Sequence, residues 1–207
     1  MSADEAIERY GPSEITANDL LVLDDPHYRS ENVAVVTGAG SGIGRATALA
    51  FAANGLTVVG TDLDAEAVDE AGSKAEGLSL PGEIVSVAGN LVEETDIERI
   101  VEEAADYGSI RYLVNNAGLQ HVAPIESFPV EKYDTMQAVM QRAPLLLTKE
   151  CLPHFRANED GGGVVGNMCS VHGHIVTRDK AAYNMSKFAL RGLTQSIAAE
   201  GDGSVRA

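Results

Sequence analysis

The sequence predicts an α/β fold, a doubly wound parallel sheet with helices on both faces. Three observations predict it. Short apolar runs alternate with longer amphipathic ones from residue 33 onward. Their order is strand then helix throughout, with no internal repeat. The first apolar run passes straight into a glycine-rich turn and an Ala-rich segment of helical period. Strands separated by helices imply parallel pairing and right-handed crossovers. At 207 residues, 44% of them hydrophobic, the chain can bury the core of one domain.

Residues 1–32 carry Pro12 and Pro26 and no sustained apolar period, so they read as an N-terminal extension with a short helix at 2–9. Residues 33–207 form the domain. Asn32 to Thr37 is continuously apolar at its centre, as a strand buried on both faces must be. Gly42 to Asn54 is the first helix, Leu56 to Thr61 the second strand, and Asp64 to Ala75 a helix with an acidic first turn that suits its dipole. Glu83 to Val87 is the third strand. Glu94 to Tyr107 places Ile97, Ile100, Val101 and Ala104 on one helical stripe. Ile110 to Asn115 is the fourth strand. One long helix is expected from Val130 to Asn158, a turn from Glu159 to Gly163, a fifth strand from Val164 to Cys169, and a last helix from Lys180 to Glu200.

Charge narrows the classes of function. There are 31 acidic residues against 15 basic, a net of −16. Such a chain repels nucleic acid and anionic membrane surfaces. No apolar run is long enough to span a bilayer, and the acidic N-terminus lacks the pattern of a signal peptide. Two cysteines, Cys151 and Cys169, make no disulfide framework, so a cytoplasmic location is expected. Only five of the basic residues are Lys. Surplus carboxylate with few lysines fits a halophilic protein; an ordinary acidic protein is the alternative. No metal site is expected.

The turn after the first strand reads Thr37-Gly38-Ala39-Gly40-Ser41-Gly42-Ile43-Gly44. Glycines there let the backbone approach a pyrophosphate, and the following helix N-terminus offers free N–H groups to it. The spacing is GxxxGxG rather than GxGxxG. Asp62 ends the second strand 20 residues after Gly42, where a carboxylate accepts the adenosine ribose hydroxyls. A carboxylate repels a 2′-phosphate and Ser41 supplies no base for one, so NAD is favoured over NADP. The alternative for Asp62 is a cap on the helix beginning near Asp64.

Tyr183 and Lys187 lie four apart and share a helix face. A tyrosine with an ordinary pKa of about 10 is a poor base at neutral pH, and a nearby ammonium is what makes one effective. Ser170 ends the fifth strand, at the carboxyl edge of the sheet where ligands bind in such folds.

Thr37-Gly38…Gly42-Ile43-Gly44, Asn115-Asn116-Ala117-Gly118, Ser170 and Tyr183-x-x-x-Lys187 resemble the short-chain dehydrogenase/reductase family, in the family's order, over about residues 33–206. The resemblance implies that Tyr183 is the general acid/base and that Ser170 positions the substrate oxygen. Lys187 would act on Tyr183 and hold the nicotinamide ribose. Gly38, Ser41, Gly42, Ile43, Gly44, Asp62, Asn90, Leu91, Asn116, Ala117 and Gly118 would line the cofactor site with Tyr183 and Lys187, and Asn115 to Gly118 would also stabilise the central sheet. Asn90-Leu91 stands where the family usually has Asp and an apolar residue against adenine.

A narrower similarity, to D-3-hydroxybutyrate dehydrogenases, lies in Gly118-Leu119-Gln120-His121, Ser170-Val171-His172-Gly173 and Lys180-Ala181-Ala182-Tyr183. It implies that Gln120, His172 and Lys180 hold the carboxylate of a small hydroxy acid, with Ser170 and Tyr183 at its hydroxyl. For Lys180 the alternative is a solvated residue at a helix start, and for His172 a loop hydrogen bond.

The sequence departs from the family twice. Met140 stands where the family has a relay Asn, and a thioether donates no hydrogen bond. Gln141 or a backbone carbonyl would have to serve instead, unless Met140 is core packing and the relay differs. Family chains also run on past the last helix; this one stops at Ala207 and looks shortened at the C-terminus, with impaired activity expected. The combined expectation is a Rossmann-type sheet of order 3-2-1-4-5 with a stub of strand 6. Its function would be NAD-dependent oxidation of D-3-hydroxybutyrate to acetoacetate, in a homo-oligomer, dimer or tetramer. Another hydroxy acid, a sugar or an acyl substrate remains open, as does a non-catalytic NAD-binding role.

Overall fold

A computed structural model of the chain describes residues 15–158 and 162–207. The helix expected at 2–9 lies outside them, as does most of the turn at 159–163. β1 (Asn32–Thr37) and β2 (Thr57–Thr61) are buried along their whole lengths. Side chains alternate across β1: Val33 and Val35 enter one apolar cluster, Ala34 and Val36 another. That two-sided burial is why the run is apolar throughout. β3 (Glu83–Ser86), β4 (Ser109–Asn115), β5 (Gly163–Asn167) and β6 (Val205–Arg206) complete a six-stranded sheet of order 3-2-1-4-5-6. Every pairing is parallel, with Val33 beside Thr57 and Asn115 beside Asn167.

One face carries α1 (Gly42–Ala53) and α2 (Ala65–Gly77), which bury Ala48, Leu49, Ala52, Val68 and Ala75. Ile15, Leu20 and Tyr28 pack against the same cluster. The other face carries α3 (Glu94–Asp106), whose expected stripe of Ile97, Ile100, Val101 and Ala104 is buried. It packs with Leu147, Cys151 and Phe155 of α5 (Ala143–Ala157) and with Ile197 of α6 (Ala181–Glu200).

The single long helix expected from 130 to 158 is instead three pieces. α4 (Val130–Gln137) runs into a π turn, Ala138–Arg142, and only then into α5. The Ala143 amide donates to the Ala138 carbonyl, five residues back. Pro144 supplies a physical reason, since it has no N–H for the Met140 carbonyl in α register. Strand β5 ends at Asn167, two residues before the expected limit, although the Met168 amide still donates to Asn115 at 2.9 Å. Lys180 precedes α6 with non-helical backbone, φ −124° and ψ 32°.

Candidate active site

The Gly-rich turn sits where β1 meets α1. Gly42 has φ +51°, a left-handed conformation, and nothing lies within 4 Å of where its side chain would be. A Cβ on Gly44 would run into the Gly38 carbonyl, so α1 starts as close to β1 as backbone allows. Ser41 precedes the helix without a side-chain capping bond, which leaves the first N–H groups of α1 without a side-chain acceptor. These are the features a phosphate cradle requires.

The turn is fixed from β4. Thr37 Oγ1 accepts from the Asn116 and Ala117 amides at 3.0 Å each, and the Asn116 side chain donates to the Thr37 carbonyl at 3.0 Å. Further along, Asn115 donates to Asn167 Oδ1 at 2.8 Å, and Asn167 donates to Thr194 of α6 at 2.9 Å. Asn115 and Asn116 thereby tie three strands and the last helix together. Thr37 opens the Gly-rich motif but was given no role of its own in the sequence, and Asn167 was not singled out; a Thr ending a buried strand before glycine was the available signal.

Asp62 does not cap α2. Asp64 does, accepting from the Ala67 amide at 3.2 Å. Asp62 Oδ2 accepts from the Gly40 amide at 3.1 Å, and its carboxylate lines a cleft of about 620 Å³ with Gly38, Ser41, Gly42, Asn90 and Gly118. Thr61 lies on the same cleft, and its buried hydroxyl has no partner among the described residues. Arg45 is turned to backbone, donating from Nε to the Gly40 carbonyl at 2.9 Å. Asn90 uses its side-chain oxygen to accept from the Val92 amide at 3.1 Å, while its main-chain N–H donates to Asp96 at 2.7 Å. Leu91 is shared between the cleft wall and the core.

Ser170 follows β5 and opens a short 3₁₀ turn, Val171–Gly173. Its Oγ lies 3.2 Å from His172 Nδ1. The His172 ring meets the Tyr183 ring edge-on, with centroids 5.6 Å apart. Lys187 is 4% exposed, its ammonium 5.5 Å from the Tyr183 ring centroid and donating to the Met168 carbonyl at 2.7 Å. Burial holds its pKa below the ordinary lysine value. Ser170, Tyr183 and Lys187 are thus gathered at the carboxyl edge of the sheet, with His172 bridging the first two. The buried phenol of Tyr112 and the buried thiol of Cys151 are both pushed up to about 12 by desolvation, which leaves them inert.

One backbone bond links the loops that carry two of the expected carboxylate ligands. The Ala123 amide donates to the Asp179 carbonyl at 2.9 Å, joining the loop of Gln120 to the loop of Lys180. Neither Gln120 nor Lys180 makes a side-chain hydrogen bond among the described residues. His172 has both ring nitrogens engaged, the second with Thr177 Oγ1 at 2.9 Å.

Met140 is 1% exposed and packs with Met136 and Ala182, with its sulfur facing Gly118. Gln141 is bonded to Gln137, whose own amide reaches Ser186 Oγ at 3.1 Å. With Gln141 engaged, a backbone carbonyl is the other expected substitute for a relay Asn, and Pro144 has no N–H to serve as the α-helical donor to the Met140 carbonyl.

The short-chain dehydrogenase family model matches residues 32–206. The chain is 36% identical over 176 residues to an uncharacterized oxidoreductase of Bacillus subtilis, covering 83% of this chain and 65% of that one. It is 35% identical over 172 residues to a D-beta-hydroxybutyrate dehydrogenase of Cupriavidus necator, covering 81% and 64%. A crystal structure of a metagenomic short-chain oxidoreductase in complex with NADP superposes with a TM-score of 0.80 at 34% identity, covering 86% of this chain and 80% of that one. The chain belongs to the short-chain dehydrogenase family. It spans about two thirds of the length of these two curated relatives.

Proposed function

We propose that the chain carries the machinery of an NAD-dependent dehydrogenase that oxidises the secondary alcohol of a small hydroxy acid, D-3-hydroxybutyrate, to acetoacetate. The observation that carries this reading is the buried Lys187 ammonium beside the Tyr183 ring. A bound nicotinamide dinucleotide supplies the acceptor for the hydrogen and electron pair leaving the substrate carbon. The cleft fits one: an open Gly42, uncapped amides of α1, a carboxylate at Asp62 and an unpartnered Thr61 hydroxyl.

Tyr183 takes the proton of the substrate hydroxyl. Lys187 sets a positive charge beside the Tyr183 ring as negative charge develops on the phenol. Ser170 donates to the substrate oxygen and holds it against Tyr183. Gln120 and Lys180 receive the carboxylate, a small anion that needs charge-assisted donors. The similarity to a D-beta-hydroxybutyrate dehydrogenase supports this substrate. Asp62 supports NAD, because its carboxylate faces the turn where a 2′-phosphate would have to sit. We further propose a halophilic, cytoplasmic homo-oligomer, dimer or tetramer, in keeping with the net charge of −16 and with Leu145, Met185 and Phe188 exposed on α5 and α6.

The experiment is a spectrophotometric screen of NAD reduction over hydroxy acids and neutral secondary alcohols. Tyr183→Phe, which keeps the ring and removes the oxygen, should cut turnover by about 10²–10⁴-fold. Retention of a third of the wild-type rate would exclude Tyr183 as the base. Lys180→Ala should raise KM for the hydroxy acid about tenfold, the loss of one charge-assisted bond. Neutral alcohols should be unaffected, and an unchanged KM for the hydroxy acid would remove the substrate assignment alone.

A further inference from the structure

We infer that His172 is a positioning residue for Ser170: its Nδ1–H tautomer, held by Thr177, turns the Ser170 hydroxyl proton toward the substrate. The inference rests on the dehydrogenase reading of the site. It takes His172 out of the set of side chains that grip the substrate carboxylate.

The argument begins with the capacity of a hydroxyl, which is one donor and two acceptor positions. Ser170 Oγ already accepts from the His172 main-chain amide at 3.2 Å. Its second contact is His172 Nδ1, also at 3.2 Å. If Nδ1 is bare, Ser170 must donate its only proton there and has none for the substrate oxygen. If Nδ1 carries the hydrogen, Ser170 accepts twice and its proton is free to point elsewhere.

The other ring nitrogen is coupled to this choice through the Thr177 hydroxyl, which can donate or accept and is here assigned the donor role. His172 Nε2 lies 2.9 Å from Thr177 Oγ1. A neutral imidazole has one donor and one acceptor nitrogen, and the partner of one fixes the other. When Thr177 donates to Nε2, the hydrogen belongs on Nδ1. Thr177 is itself anchored: Asn184 of α6 donates to its carbonyl at 3.1 Å. Asn184 adjoins Tyr183 in sequence, and the His172 ring rests edge-on against Tyr183. One rigid helix therefore places both the phenol and, through Thr177 and His172, the serine proton.

The test has two arms. In the first, the ¹⁵N-histidine-labelled chain is examined by long-range ¹H–¹⁵N NMR at alkaline pH, where imidazole is neutral. His172 should carry its hydrogen on Nδ1. Thr177→Val should move it toward Nε2, and Thr177→Ser should keep it on Nδ1. A hydrogen on Nε2 in the wild type overturns the inference whatever the turnover. In the second arm, His172→Leu should lower kcat by about 10–100-fold on a hydroxy acid and on a neutral alcohol alike, comparable to the loss of one oxyanion donor. His172→Asn, which keeps a donor near the Nδ1 position, should recover most of that loss. In a Ser170→Ala background, His172→Leu should change the rate less than about twofold, because the two side chains act as one unit. A loss confined to KM for the hydroxy acid would instead make His172 a carboxylate ligand. Tyr183→Phe run alongside reports on the dehydrogenase reading separately, since a failure there leaves the NMR result standing.

Discussion

Lys187 holds a charge in a place that disfavours charge. Among the described residues its ammonium has one hydrogen-bond partner, the Met168 carbonyl, and no carboxylate within ion-pair distance. Burial lowers its pKa, so the folded state binds this proton more weakly than the unfolded chain does. The sign follows: the group destabilises at pH below its folded value, and the penalty fades as pH rises toward the ordinary lysine value of about 10.4. Lys187→Met should therefore raise Tm at neutral pH while abolishing turnover. A gain of 1 kcal/mol would appear as a rise of about 2–4 °C. Differential scanning calorimetry decides it, and a lower Tm would show that the Met168 bond outweighs the burial cost. Asp62 offers a second residue-level test. Isothermal titration should find NAD bound at least about tenfold more tightly than NADP, a difference of about 1.4 kcal/mol. Asp62→Ala should narrow the gap.

At this scale the sequence was legible where spacing fixes a neighbour. Tyr183 and Lys187 were singled out by a helical spacing and Asp62 by a strand end, and the structure brings the Lys187 ammonium 5.5 Å from the Tyr183 ring centroid and the Asp62 carboxylate onto the Gly40 amide. The alternative reading of His172, a loop hydrogen bond, anticipated its contacts, but Thr177 as a partner was not legible, because contacts inside an irregular loop follow no period. Nor does any pattern tell that the His172 ring nitrogens are turned to the loop rather than to solvent.

Among the elements, the strands were read correctly for a physical reason. β1 and β2 are covered on both faces, and only continuous apolar runs tolerate that. The long helix was misread, because hydrophobic period persists from Met136 through Leu147 while hydrogen-bond register shifts beneath it. Pro144, four residues after Met140, was the signal available. α3 provides a test of its own. Asp96, in its first turn, accepts from the Asn90 amide and pairs with Arg99, and these bonds hold its carboxyl below the ordinary value. A carboxylate with a depressed folded pKa stabilises above the unfolded value of about 3.9 and loses that effect as pH falls through the folded one. Asp96→Asn should thus lower Tm at neutral pH, with the difference shrinking below about pH 4. A constant offset down to pH 2 would mean that the charge contributes nothing.

For the whole molecule, the excess of 16 negative charges sets the behaviour in salt. Like charges crowd together on folding, and added ions shorten the range of that repulsion from about 10 Å at 0.1 M to about 3 Å at 1 M. We expect Tm to rise from 0.1 M into the multimolar range of KCl. A flat profile past about 0.5 M, where screening is nearly complete, would leave an ordinary acidic protein. At this scale alternating strands and helices made the parallel α/β class legible, while the strand order rested on the family resemblance, because alternation alone is compatible with more than one winding.

The π turn between α4 and α5 has a consequence for the timing of local opening. Widened turns are held by fewer well-aligned bonds than the α segments on either side. Amide protons at 138–143 should therefore exchange with deuterium earlier than those of α4 and α5, making a soft point in mid-helix. Met140 rides on that point with its sulfur against Gly118, on the wall of the cleft. When the turn loosens, that wall loosens with it. Cofactor that presses on Gly118 should slow exchange in the turn, so that occupancy of the cleft becomes visible as a protection footprint on a segment of helix behind it.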